Sequence, residues 1–154
     1  MNMRKIWKVP LFCIIAGVIT FKVAVFLFSG FTIVTLPDGT ITTNNTRQLI
    51  IYGAIFIVTL ILGGMLFRNM TKKEIFFSAS IMVVISLITN LTQWAFNITS
   101  GPALSYYIYL GMIFEWSSAV TLLLCQVIEN LWVVSIISSF TPYLFIPFGI
   151  KEQV

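Results

Sequence analysis

The sequence predicts an all-α integral membrane protein with four transmembrane helices, or alternatively five, and a short extracytoplasmic β-hairpin. Of its 154 residues, 58 % are hydrophobic and only 9 % are charged, whereas a soluble domain carries about 25 % charged residues to solvate its surface. The apolar residues also gather into runs of about 20, which is the length that crosses about 30 Å of hydrocarbon. The whole chain, 1–154, is therefore predicted to form a single polytopic membrane domain.

The first predicted span covers residues 9–31 and follows the basic residues Arg4, Lys5 and Lys8. A signal peptide also begins with basic residues before an apolar run. This run, however, is long, contains Lys22 and lacks a small-x-small cleavage site at its end. We therefore predict a retained signal-anchor helix.

Residues 31–47 predict a β-hairpin. Thr, Ile and Val alternate on both sides of Pro37, Asp38 and Gly39. Proline presets φ at the first turn position, and Asp and Gly accommodate the remaining turn conformations. The segment is expected to form a small two-stranded flap outside the bilayer.

Three further apolar runs predict spans at 49–67, 75–98 and 131–149. The first two are separated by a short basic loop at 68–74. The last run is interrupted by two prolines, which are expected to kink its helix because they lack the backbone N–H.

The segment 103–128 leaves two topologies open. As a fifth span, it would leave the C-terminus outside and the acidic Glu129 inside, against the charge rule. As an interfacial or re-entrant helix, it would stay in the outer leaflet, so that only 131–149 crosses and Lys151 ends inside. The second arrangement, with four spans, is favoured because Glu115 and Glu129 then both stay near water.

The basic residues predict the orientation, because cytoplasmic loops of membrane proteins are enriched in Lys and Arg. Six of them fall on the side of the N-terminus, and only Arg47 falls on the other side among the loops up to residue 107. A composition rich in Ile, Phe and Asn is compatible with a bacterium. We predict a multi-pass protein of the cell membrane, the inner membrane of a bacterium, with a cytoplasmic N-terminus.

Polar residues gather on two predicted helix faces. The first face belongs to the third span, at steps of four, three and four, and consists of Ser86, Asn90, Gln93 and Asn97. The second belongs to the next segment and consists of Gly111, Glu115, Ser118, Cys125 and Glu129. Because polar groups are costly in hydrocarbon, both faces are expected to meet protein, water or the interface. Bridging between neighbouring helices is the simplest interpretation.

Five polar residues form a candidate pocket that opens outward: Lys22, Asn90, Gln93, Asn97 and Glu115. Lys22 lies about 20 Å along the first span from Val9, in its outer half. Asn90 is predicted at a depth of about 12 Å from the outer side, and Glu115 at a similar depth if its segment crosses. Lys22 is expected either to extend to the outer headgroups or to pair with Glu115.

Catalytic chemistry has no support in the sequence. There is no histidine, the commonest general base and metal ligand, and the isolated Cys13 and Cys125 form no CxxC pair. Glu115 and Glu129 are separated by about 21 Å along a helix, too far for joint acid–base work. We predict no enzymatic activity, no cofactor, no metal site and no nucleic-acid partner.

Two functions remain open. A non-enzymatic accessory or interaction subunit would assemble in the bilayer with a second copy or another membrane protein. A small transporter or ligand-binding protein would instead use the outward pocket around Lys22, Asn90, Gln93 and Glu115. The first function is favoured because it requires no special role for any polar residue.

Overall fold

The computed structural model describes residues 3–24, 26 and 29–150, most of which are helical. The elements of the described part, in chain order, are α1 Met3–Ile6, α2 Lys8–Val23, α3 Ser29–Thr32, β1 Ile33–Thr35, β2 Ile41–Thr43, α4 Asn45–Phe67, α5 Lys72–Ala95, α6 Gly101–Gly111, α7 Ser118–Cys125 and α8 Leu131–Ser138. A 3₁₀ segment, Met112–Ser117, joins α6 to α7, and a second one, Thr141–Phe148, follows α8. With these 3₁₀ segments, the chain has two composite helical segments, 101–125 and 131–148.

Within the described part of the chain, four helical segments are long and apolar enough to cross a membrane: α4, α5, 101–125 and 131–148. Three of them correspond to the predicted spans 49–67, 75–98 and 131–149. The fourth is the segment whose crossing the sequence left open. A mostly helical chain with membrane-length apolar helices is therefore confirmed, although the four long segments are not the four predicted spans.

The first predicted span, 9–31, corresponds to α2, which has 16 residues. Residues 25, 27 and 28 of that span lie outside the described residues. The buried residues of α2 include Val9, Cys13, Gly17 and Thr20, which fall on one helix face at steps of four, four and three. With this face, α2 packs against α4, α5 and the 3₁₀ segment Met112–Ser117.

One end of the bundle, here called the basic end, joins the beginning, the middle and the end of the described chain. Lys5 Nζ lies 3.1 Å from Glu74 Oε2, and the Glu74 carboxylate accepts a hydrogen bond from the Thr71 N–H in a capping box. The Ile150 N–H donates to the Met70 carbonyl at 2.9 Å. Lys151 lies outside the described residues.

The 131–148 segment runs antiparallel to α5. Near the end of α5, Asn90 Nδ2 donates to the Ser135 carbonyl at 3.4 Å. Closer to the basic end, the Ser80 hydroxyl lies 2.9 Å from the Tyr143 hydroxyl. The segment therefore begins at the opposite end of the bundle, here called the hairpin end, and finishes at the basic end.

Both ends of the 101–125 segment lie at the hairpin end. Its first residue follows the end of α5, and α8 begins at Leu131, one turn beyond its contact with α5. The Thr121 hydroxyl of α7 bonds to the Ser138 hydroxyl of α8 at 3.0 Å, so α7 runs back beside α8. A straight helix of this length would extend about 37 Å and end far from Leu131. The segment therefore enters the bundle, bends around 112–117 and returns.

The β-hairpin predicted within 31–47 is confirmed. The strands pair antiparallel, with Ile33 opposite Thr43 and Thr35 opposite Ile41. The Leu36 N–H donates to the Thr40 carbonyl at 2.8 Å, which leaves a loop of three residues. Its last residue, Gly39, has a φ of +83°, the left-handed conformation typical of such loops. At the tip, the side-chain and backbone hydrogen bonds from Thr40 lower the pKa of the Asp38 carboxyl.

An aromatic cluster fills the core near the basic end. The Phe145 ring lies 5.1 Å from Phe67 and 5.7 Å from Phe12, between ring centroids and edge-to-face. Gly63 makes room for it, because a Cβ there would lie 2.4 Å from Phe145 Cε1. Gly64 makes room for the Phe148 ring in the same way. The two adjacent glycines of α4 therefore let aromatic rings of the 131–148 segment approach the helix closely.

Candidate functional site

A polar cavity of about 190 Å³ lies between α5, the 101–125 segment and the 131–148 segment. At about 30 Å³ per water molecule, this volume corresponds to about six waters. Its wall combines hydroxyls, amides and one carboxylate, from Ser86, Thr89, Asn90, Gln93, Glu115, Ser117, Ser118, Thr121, Ser135, Ser138 and Ser139. The other lining residues are Tyr107, Gly111, Phe114, Trp116 and Pro142. Because the outer faces of the helices are apolar, this concentration of hydrogen-bonding groups defines the candidate site.

Ser139 connects two walls of the cavity. Its hydroxyl accepts hydrogen bonds from Ser86 Oγ at 2.8 Å and from Asn90 Nδ2 at 3.0 Å. It donates to the Ser135 carbonyl at 2.8 Å, so its own donor and acceptor are used. This network ties α5 to the 131–148 segment and is the bridging predicted as the simplest role for the third-span polar face.

The cavity occupies the half of the bundle nearer the hairpin end. Gln93, in its wall, lies two residues before the end of α5 at Ala95, whereas Ser86 lies nine residues before it. At 1.5 Å per residue, the cavity wall thus extends to about 14 Å from that end. Tyr107, beside Gln93, donates to the Thr92 hydroxyl at 2.9 Å.

The inner end of the cavity is formed by the 3₁₀ segment Met112–Ser117. Its backbone lies directly against α2, since a Cβ on Gly17 would be only 2.2 Å from the Ile113 carbonyl oxygen. At its other end, the Ser117 hydroxyl donates to the Phe114 carbonyl at 2.7 Å. Short 3₁₀ windings inside a longer helix mark bends and functional hinges. Here the winding holds Glu115 and Trp116 where the segment turns back.

Glu115 is the only charged residue in the described cavity wall. The Tyr52 side chain of α4 lies close to its carboxylate. No cation of the described residues lies within ion-pair distance of this carboxylate. The wall therefore holds a half-buried carboxylate that no positive charge among the described residues balances.

Trp116 also lines the cavity and is 1 % exposed. Its ring stacks between Phe56 and Phe145, at centroid distances of 5.9 and 5.4 Å. The indole Nε1–H is buried and has no hydrogen-bond acceptor among the described residues. A buried donor left in this state costs about 1–3 kcal/mol, so an acceptor brought to this N–H would be stabilising.

The structure brings together three of the five residues in the predicted pocket. Asn90, Gln93 and Glu115 line one cavity. Lys22 is exposed on α2, with Nζ 5.8 Å from the ring centroid of Phe26, and it does not pair with Glu115. Asn97 is exposed beyond the end of α5, with a φ of +46°, because the helical register ends before it.

Several residues of the cavity wall were not predicted from the sequence. Ser135, Ser138 and Ser139 supply one wall, and their spacing of three and one places them on one side of a helical turn. A search for hydroxyls at helical spacing in the last span would have found them. Trp116 in the cavity wall and Tyr52, which lies near Glu115 outside the wall, gave no comparable signal, since aromatic residues in membrane helices are expected at the interface.

No group of three or more His, Cys, Asp or Glu residues that could hold a metal ion occurs in the part of the chain that the structure describes. Cys13 is buried in α2 and Cys125 is exposed at the end of α7. Comparison with protein-family models, with curated proteins and with solved structures finds no match.

Proposed function

We propose that this chain is an integral membrane protein that binds a small polar solute in the cavity, as a ligand-binding or transport protein. One observation carries the proposal: amides, hydroxyls and a carboxylate surround a cavity inside a bundle with an apolar exterior. Polar and ionisable residues are costly within a membrane and commonly mark binding sites or pathways. Helix bridging accounts for Ser86, Asn90 and Ser139, but it gives no role to Glu115 or to the Trp116 N–H.

The proposal places the basic end of the bundle in the cytoplasm. Lys5, Arg68, Lys72 and Lys73 all lie at or next to that end, and cytoplasmic loops are enriched in such residues. The apolar outer faces of α2, α4 and α5 then lie in the hydrocarbon of the cell membrane. The N-terminus is cytoplasmic, and the β-hairpin is outside, as the sequence predicts.

In this orientation the 101–125 segment is re-entrant. It enters from the outer side, reaches the middle of the bundle at the 3₁₀ segment and returns outward, so four helices cross: α2, α4, α5 and 131–148. Support comes from the contact of Thr121 with Ser138 and from the pairing of Ile150 with the loop after α4. Non-helical backbone at membrane depth is tolerated where it is buried in protein or lines a cavity, and 112–117 does both.

A solute would therefore enter the cavity from the outer side. Broken helices with polar groups near the bilayer centre are a recurrent way to build substrate sites in transporters. Here the bend supplies Glu115, Ser117 and Ser118, while α5 and α8 supply amides and hydroxyls. The proposal assigns binding and passage to these groups and no catalytic step.

An accessory or interaction subunit is the second candidate function, and an apolar groove favours it. The groove, of about 360 Å³, lies between α2 and α4 and is lined in part by the small residues Ala16, Thr20, Ala54 and Thr59. Small residues let membrane helices approach closely, so a helix of another membrane protein would fit along it. Neighbouring Gly53 has open space where a Cβ would be.

Cysteine accessibility tests the proposed function. In a Cys13→Ala, Cys125→Ser background, Ser138→Cys places a thiol in the cavity, and Ile136→Cys places one on the exposed apolar side of the same helix. A small membrane-impermeant thiosulfonate applied to intact cells should modify the first and not the second, because only a hydrated thiol ionises and reacts. If Ser138→Cys were as unreactive as Ile136→Cys, the cavity would be closed to polar solutes and the interaction subunit would be favoured.

A further inference from the structure

The cavity has a charge that the described chain leaves unbalanced. Among the described residues, Glu115 is the single carboxylate in its wall, and no Lys or Arg residue lines it. The one cation inside a predicted span, Lys22, is exposed on another face and lies over the Phe26 ring. A carboxylate at membrane depth is stabilised by a paired positive charge, which a bound ligand would supply.

Resting on the proposed function, we infer that the solute is a small organic amine, bound as its ammonium ion, that also carries a hydrogen-bond acceptor. Glu115 supplies the counter-charge. Hydroxyl and amide oxygens around it, including those of Ser118 and Gln93, accept the remaining N–H donors. A single carboxylate balances one positive charge, whereas Ca²⁺ takes six to eight oxygen ligands, commonly from several carboxylates.

The acceptor on the ligand is inferred from Trp116. Its indole N–H is buried, lies in a cavity-lining residue and has no acceptor among the described residues. An indole can only donate, so an ammonium group cannot satisfy it, whereas a hydroxyl or carbonyl oxygen of the ligand can. The residues that carry the carboxylate and the indole N–H, Glu115 and Trp116, are adjacent in sequence and lie on the same 3₁₀ segment, Met112–Ser117.

The volume limits the size of the amine. The cavity holds about six waters in its approximately 190 Å³, so an amino alcohol of a few carbon atoms fits, whereas a peptide or a whole phospholipid does not. The wall also includes the apolar faces of Phe114 and Pro142, which suit a short methylene chain between the two polar groups.

Three probes of similar shape separate the two parts of the inference. Aminopropanol carries both groups, butylamine lacks the acceptor, and propanediol lacks the charge. Binding to the purified full-length protein is measured by titration calorimetry at neutral pH. Aminopropanol should bind most tightly, and Glu115→Gln should weaken it at least about tenfold, since removing one partner of a buried charge pair is costly. Lys22→Gln is the control: it removes a charged side chain of α2 that lies outside the cavity, and it should leave binding unchanged.

Trp116→Phe gives a second readout that keeps the aromatic ring. It should weaken aminopropanol several-fold and leave butylamine unchanged, because only the former offers an oxygen to the indole N–H. Equal effects on both amines would overturn the role of Trp116.

Propanediol binding as tightly as aminopropanol would overturn the ammonium assignment, while solute binding in the cavity would stand. If no probe binds although Ser138→Cys reacts with the impermeant reagent, the amine class is wrong. An unreactive Ser138→Cys removes the proposed function itself.

Discussion

The Ser86 hydroxyl of α5 donates a buried hydrogen bond of 2.8 Å to the Ser139 hydroxyl of the 131–148 segment. This bond joins two helices that are far apart in the chain, at the depth where the cavity ends. Hydrogen bonds between membrane helices contribute about 0.6 kcal/mol on average. The bond is therefore a modest contributor to stability whose main consequence is to fix the relative height of the two helices.

A double-mutant cycle measures this bond. Ser86→Ala and Ser139→Ala should each lower the free energy of unfolding in detergent, and the pair should be less than additive by about 0.6 kcal/mol. Thr89→Ala is the matched control, because the Thr89 hydroxyl lines the same cavity but bonds to the Ile85 carbonyl of its own helix. Thr89→Ala combined with Ser139→Ala should be additive. Full additivity of the two serine substitutions would mean that the bond does not couple the helices.

Gly17 should tolerate no side chain. A Cβ at this position would lie 2.2 Å from the Ile113 carbonyl oxygen, a backbone atom of the bend. Gly17→Ala should therefore lower the free energy of unfolding by about 1–3 kcal/mol, as overpacking typically does. Gly53→Ala is the control, since nothing lies within 4 Å of its Cβ position, and it should be neutral or stabilising by up to about 1 kcal/mol. A Gly17→Ala protein as stable as Gly53→Ala would argue against the close contact between α2 and the bend.

Much of the fold follows from apolar run length and turn chemistry. The spans predicted at 49–67 and 75–98 and the β-hairpin around Gly39 depend on local signals, and all three correspond to elements of the structure. The boundaries differ by a few residues because capping by Asn44 and Thr71 starts α4 and α5 earlier than hydropathy alone indicates.

The candidate site was only partly predictable, because it depends on which helix faces meet. The steps between Ser86, Asn90 and Gln93 placed those residues on one face correctly. The same spacing included Asn97, since sequence periodicity does not reveal that α5 ends at Ala95. Pairing with Glu115, one of the two alternatives for Lys22, rested on depth alone, and depth does not fix the rotation of a helix about its axis.

Orientation is testable at two loops. A cysteine at Thr40 in the hairpin should react with an impermeant thiol reagent in intact cells, and a cysteine at Asn69 should react only after the membrane is opened. The reason is the distribution of basic residues, which favours a cytoplasmic location for the end that contains Lys5 and Lys72. Both positions are exposed in the structure, so a difference in reactivity reports the side of the membrane. Labelling at Asn69 but not at Thr40 in intact cells would invert the orientation.

If 101–125 is re-entrant, the loop before α8 and the end of the described chain lie on opposite sides of the membrane. Glu129 is exposed at the hairpin end, whereas Ile150 is exposed beside the loop after α4. In intact cells, Glu129→Cys should therefore be labelled and Ile150→Cys should be protected, in the background without Cys13 and Cys125. A crossing segment would reverse both results, because it would carry Glu129 to the cytoplasmic side and return Ile150 outside. Since the two topologies differ at both positions, labelling of Ile150→Cys with protection of Glu129→Cys would replace four crossings by five.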